Sequence, residues 1–282
     1  MNTPQRNSQG WYCIQGAVDQ HKLKCLIDLG HIDKLSITKT PPVTVTVARL
    51  LRQLQSVTQL WLWCDVSRIA LRHIIQMPGL EILDVLAVKA PGSLSGFEHA
   101  TSLRAFRANH YLTEQDLLAI ARCAPLQELG IQGAKLTRAS LQALLELPHL
   151  ESLDLEGTPF SDNMARLVSR STTIHTLDLG ATNLTRTGLT QLVTMHQLRS
   201  LDLWATRTSE NDLELLRELP HLEYLSVGGH ESSVALDPER VVSLMLSMPS
   251  LKRVWLDGVG LSPEQLARLE GRSLMVRATY RE

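Results

Sequence analysis

Leu150-Glu151-Ser152-Leu153-Asp154-Leu155 reads L-x-x-L-x-L, and the pattern returns in Leu126-Gln127-Glu128-Leu129-Gly130-Ile131, Ile174-His175-Thr176-Leu177-Asp178-Leu179 and Leu198-Arg199-Ser200-Leu201-Asp202-Leu203. Successive copies start 24 residues apart. The register extends to Ile32, Val57, Leu80 and Leu103 upstream, and to Leu222, Leu251 and Leu274 downstream. A strand buries alternate side chains on one face, so the L-x-L pair points inward and the residues around it point out. Each copy is too short to bury that face alone. A period in the twenties therefore predicts stacked strand-plus-helix units that share one continuous core.

On these motifs the chain resembles the leucine-rich repeat proteins over residues 30–280. The resemblance implies an α/β fold: a horseshoe-shaped solenoid with a parallel β-sheet on its concave face and helices on its convex face. Parallel crossovers are right-handed, which sets the expected hand. The expected organisation is a disordered N-terminus over residues 1–10, an N-terminal cap over 11–31, and a repeat domain of about ten to eleven repeats over 32–282. The cap is read from Leu23, Leu26, Ile27 and Leu29 at helical spacing, stopped by Gly30.

Within a repeat, Thr158, Thr182 and Thr206 share one turn position after the strand. The family usually places Asn or Cys there to satisfy buried backbone groups, and a threonine hydroxyl does part of that work. Helix starts are marked by Thr113 before Asp116, Ser209 before Asp212, and Ser262 before Pro263 and Gln265. Leu141, Leu144 and Leu145, and likewise Leu213, Leu216 and Leu219, face the strand layer, and Pro148 and Pro220 stop these helices. Two repeats depart from the rule. Ala90–Gly96 replaces a helix start with turn residues, and the repeat from Leu222 runs 29 residues, with its surplus in the 228–236 loop. That loop is either a binding insertion or a neutral extension.

Composition narrows the function classes. The 282 residues carry a formal net charge of -1, unlike a generally basic nucleic-acid binder. The polar start Met1–Gly10 has no apolar core of a secretory signal, and no apolar run approaches the ~20 residues a membrane span needs. Cys13, Cys25, Cys64 and Cys123 form no C-x-x-C pair, which points to reduced thiols, with a Cys13–Cys25 bridge as the alternative. The expected location is the cytoplasm, or a signal-peptide-independent exit if the protein is an effector. No Walker loop, G-x-G-x-x-G, H-E-x-x-H or G-x-S-x-G is present, and no cofactor or metal site is expected. The histidines His149, His175, His196 and His221 flank strand starts at non-ligand spacing.

The outward positions carry the functional expectation. Asp154, Asp178 and Asp202 share one place on successive strands, about 4.8 Å apart, and so stack as a carboxylate column. With Asp84 and Glu128 they outweigh Arg107 and Arg253 on this face. Trp61 and Trp63 mark one end of it, and Trp204, Tyr224 and Trp255 the other. Scarce aromatics on an exposed face are typical binding anchors, although they also pack on one another. Alternation places Glu156, Gly180, Ser226 and Asp257 there as well. The expected function is a non-enzymatic module that binds another protein, one with a basic surface, on the concave face, as an inhibitor, immunity protein or effector-type adaptor. No nucleic acid or membrane is expected. The alternative is a binder of a carbohydrate or other small ligand through the tryptophans.

Overall fold

Leu153, Leu155, Leu177, Leu179, Leu201 and Leu203 are at most 1% exposed, as the inward-facing pattern requires. The computed structural model describes residues 4–89, 93–229 and 235–278. The chain divides into two units, Met1–Leu150 and Glu151–Glu282.

In the first unit the strands follow in chain order: β1 (Gln5–Arg6), β2 (Tyr12–Gln15), β3 (Lys34–Thr38), β4 (Gln59–Ser67), β5 (Ile82–Lys89), β6 (Ala105–Ala108) and β7 (Glu128–Gly130). From β2 to β7 all pairings are parallel, and Leu35, Leu60, Leu83, Phe106 and Leu129 stack in register as one apolar ladder. Residues 1–10 were expected to be disordered, but Gln5 and Arg6 pair antiparallel with Cys13 and Tyr12. The expected cap helix forms over Gln20–Asp28, capped by Asp19, and buries Leu23 and Leu26. Strand β2 adds itself to β3 beside it, which gives the edge hydrogen-bonding partners as well as an apolar cover.

The Leu80 repeat departs where the sequence does. Residues 90–92 lie outside the described residues, and Gly96, at φ 94, leads into a 3-10 turn over Phe97–His99 instead of an α-helix. A buried ion pair braces this region. Arg68 Nη2 meets Asp116 Oδ2 at 2.7 Å, with side chains only 7% and 0% exposed. Asp116 also accepts from the amides of Thr113 and Leu94, each at 2.9 Å, and Arg68 Nη2 donates to the Tyr111 carbonyl at 2.8 Å. Burial alone would push the Asp116 carboxyl up, but the hydrogen bonds from Arg68, Thr113 and Leu94 outweigh it and hold the group below its ordinary value.

The second unit holds β8 (Ser152–Asp154), β9 (Thr176–Asp178), β10 (Ser200–Asp202), β11 (Tyr224–Gly228), β12 (Arg253–Asp257) and β13 (Met275–Ala278), parallel and in chain order. Leu153, Leu177, Leu201, Leu225 and Val254 form its ladder. The threonine turn works as expected: Thr158, Thr182 and Thr206 donate to the carbonyls of Leu155, Leu179 and Leu203 at 2.7, 2.7 and 2.8 Å. Ser209 and Asp212 form a capping box, as do Ser262 and Gln265. The helix expected through Leu219 instead tightens, running as α-helix over Glu210–Leu213 and as 3-10 over Glu214–Glu218, with Leu213, Leu216 and Leu219 still buried. Of the 228–236 insertion, residues 230–234 lie outside the described residues. The four cysteines are free. Among the described residues no helix is long and apolar enough to cross a membrane.

Candidate functional site

The strand face of the second unit is organised by a recurring device. Asp154 pairs in register with Asp178, and Asp178 with Asp202. Each carboxyl turns back at its strand end to accept from the amide two residues on: Asp154 from Glu156 at 3.0 Å, Asp178 from Gly180 and Asp202 from Trp204, both at 2.8 Å. One carboxylate oxygen is thus fixed to backbone in each of these three repeats, and the column of acids follows from stacking identical turns. The cost shows in the proton affinity. Burial, then the charges of Asp202 and Asp154, push the Asp178 carboxyl from 3.8 up to about 8, against the opposing bond from Gly180. Asp202 is raised too, chiefly by burial, with the Trp204 amide and the nearby Ser226 hydroxyl tempering the rise.

Beside the column the face deepens into a pocket of about 220 Å³, lined by Glu156, Asp178, Gly180, Asp202, Trp204, Ser226, Trp255 and Asp257. Trp204 Nε1 donates to Asp257 Oδ2 at 3.1 Å, joining the end of β10 to the end of β12. Beneath that bond runs β11, and its Ser226 takes the place in register that Asp202 holds on β10. Ser226 is 0% exposed, and its hydroxyl, close enough to Asp202 to temper that carboxyl's rise, meets no partner at full hydrogen-bonding geometry among the described residues. The buried indole N–H of Trp255 likewise meets none among them. Four carboxyl side chains line the pocket and no cationic side chain does. The nearest arginines in register are engaged on rings: the Arg277 guanidinium carbon lies 4.6 Å from the Trp255 centroid, and that of Arg253 lies 5.7 Å from the Tyr224 centroid. Asp154, Glu156 and Asp178 offer oxygens within 4.8 Å of one another.

Of the sequence-selected residues, Asp178, Asp202, Trp204 and Trp255 meet in this pocket. Asp154 stands next to it in the column, and Tyr224 and Arg253 pair with each other. The remaining residues form a second cluster on the strand face of the first unit. Trp63 is 55% exposed there, whereas Trp61 is half-buried and stacked on Trp11 at 4.0 Å between centroids. Asp84 is raised by burial, with Arg107 opposing, and Arg107 is ion-paired with Glu128. Glu156, Ser226 and Asp257 were placed on this face but not singled out, because selection went by stacked charge and scarce aromatics. The available signal for Ser226 was that the Asp column breaks at its position.

No family model and no curated protein matches the chain. Solved structures do. An internalin (InlF) from Listeria monocytogenes matches with a TM-score of 0.54 and 17% identity, over 96% of this chain and 82% of that one. A structure of TLR13 in complex with ssRNA13 matches with a TM-score of 0.53 and 18% identity, over 88% of this chain but only 39% of that one. Both are leucine-rich repeat proteins, and the likeness shows that this chain has their fold.

Proposed function

On the premise of a leucine-rich repeat fold, we propose that this protein is a non-enzymatic binding module that takes a partner protein with a basic surface on the strand face of its repeats. The observation that carries this reading is the pocket between Trp204 and Trp255, lined by four carboxyl side chains together with Ser226 and Trp255, whose buried hydroxyl and indole N–H meet no partner at full hydrogen-bonding geometry. Buried polar groups without partners are costly in an isolated chain and become favourable once a ligand supplies their bonds. A lining with four carboxyl side chains and no cationic one favours cations and disfavours phosphates, so a basic protein suits the surface better than a nucleic acid. Trp63, exposed on the first unit, suits a second anchor. A cytoplasmic site of action is part of the same proposal.

A small ligand is the rival reading, favoured by the pocket's enclosed Ser226 hydroxyl and Trp255 N–H. Affinity capture identifies the partner, and calorimetry with strand-face variants then tests the reading. Trp204→Ala and Trp63→Ala are expected to weaken binding by more than about 2 kcal/mol, with Arg138→Ala, on a helix, near neutral. A partner that ignores both tryptophans and responds to helix substitutions overturns it.

A further inference from the structure

We propose that the pocket between Trp204 and Trp255 is a receptor for a single arginine side chain, carried by the partner protein. This rests on the strand-face reading above and names what the face recognises.

Three features of the pocket select a guanidinium. First, Asp178, Asp202 and Asp257 approach it from three different strands, so a cation there needs several donors pointing in different directions. A guanidinium has five N–H donors in a rigid plane, and an ammonium has three on a compact point charge. Second, two indoles line the same space. A planar cation stacks on such a surface, and the protein already seats one of its own guanidinium groups this way, Arg277 on Trp255. Third, the unpartnered groups differ in kind. The buried Ser226 hydroxyl can accept from a guanidinium N–H. The Trp255 indole N–H can only donate, so it requires an acceptor that a guanidinium lacks. A backbone carbonyl of the arginine-bearing chain supplies that acceptor, which is why the occupant is an arginine within a polypeptide and not a free guanidinium.

A bound cation also relieves the stacked carboxyls, so occupancy competes with protonation of Asp178. The groups facing Asp178 are Asp154 and Glu156 from the β8 side and Asp202 from β10, with Tyr224, under Arg253, further along. Burial and these acids favour the proton on Asp178 and a cationic ligand displaces it, so affinity rises with pH.

The test titrates the whole protein with Nα-acetyl-L-arginine N-methylamide and follows the indole N–H signals of Trp204 and Trp255 by NMR. The expected result is saturable movement of both signals, with the lysine analogue at least tenfold weaker. Asp202→Asn is expected to weaken the arginine probe at least tenfold. Trp255→Phe, which keeps an aromatic ring and loses the N–H, makes the same comparison, read at Trp204, should Asp202→Asn fail to fold. Binding is expected to tighten from about pH 6 to about pH 9 and to lose that dependence in Asp178→Asn. Equal affinity for the lysine probe, unsaturable shifts, or indifference to both variants overturns the proposal. So does a calcium or magnesium titration that moves the same signals while the arginine probe does not. The titration needs no partner, so its failure leaves the strand-face reading standing if Trp204→Ala still weakens a captured protein. Probe binding alongside a partner that ignores Trp204→Ala removes that reading and leaves the arginine receptor in place.

Discussion

Asp178→Asn separates the charge of the carboxylate column from its geometry. The amide oxygen of Asn retains the acceptor for the Gly180 N–H, now at 2.8 Å, and its NH2 takes the place of the proton on the carboxyl. In the native chain burial and the charges of Asp202 and Asp154 raise Asp178 from 3.8 to about 8. The unfolded chain releases that proton near the ordinary carboxylate value. Between the two, the folded state holds a proton that the unfolded state has lost. Stability is therefore full below about pH 4 and falls as pH rises toward about 8. A difference of one proton is worth about 1.4 kcal/mol per pH unit. From about pH 5.5 to about pH 7.5 the native protein should lose about 2–3 kcal/mol, less where the column shares the proton among its members. The Asn variant lacks this slope. Its advantage over wild type should grow by the same amount across the range, or about 5–10 °C in Tm for a chain of this size. Thermal melts of both proteins at several pH values read this directly. Parallel slopes, or an Asn variant no more stable than wild type at about pH 8, would refute the buried, stacked column.

Other outcomes follow from particular contacts. Leu177, 1% exposed in the ladder between Leu153 and Leu201, should cost about 2–5 kcal/mol as Ala by denaturant unfolding. Asp116→Ala strands the buried Arg68 guanidinium and should cost about 3–5 kcal/mol, largely recovered by Arg68→Met in the same chain. Because Asp116 is held below its ordinary value, its stabilisation is present above about pH 4 and is lost as pH falls through its folded pKa, which an acid melt of wild type against Asp116→Asn checks. Gly188→Ala would place a Cβ 2.5 Å from both Asp162 Oδ1 and Leu184 Cδ1, and should destabilise by about 1–3 kcal/mol although the residue lies in a helix.

The period alone made the strand register, the inward leucines and the threonine turns legible, because each depends on residues within one repeat. What depends on residues far apart in the chain was not. Strand β1 and its partner β2 carry no L-x-x-L-x-L, so Gln5 and Arg6 gave no sign of pairing. Alternation sent Trp61 outward correctly, but its stacking partner Trp11 is 50 positions away and belongs to no repeat. Asp116 reads only as part of a helix start after Thr113, and nothing local marks it and Arg68, 48 positions away, as a buried pair. At the site, the column Asp154–Asp178–Asp202 was readable from spacing, whereas the pocket was not. It depends on the Trp204 indole reaching Asp257 past an intervening strand, and side-chain reach is not a property of a period.

The column has a further consequence if the repeat array is regarded as a one-dimensional crystal. Reading across the strands at one lattice position gives Asp154, Asp178, Asp202, Ser226 and Trp255. The acids are the regular lattice, each held by its own turn, and the serine and tryptophan are the defect that ends it. The pocket sits at that defect. Duplicating the 24-residue unit around Asp178 would lengthen the acidic lattice without creating a second pocket, whereas transplanting the tract that carries Trp204, Ser226, Trp255 and Asp257 to the end of another acidic array would move the pocket with it. In a molecule made of near-copies, the pocket lies where the copying stops.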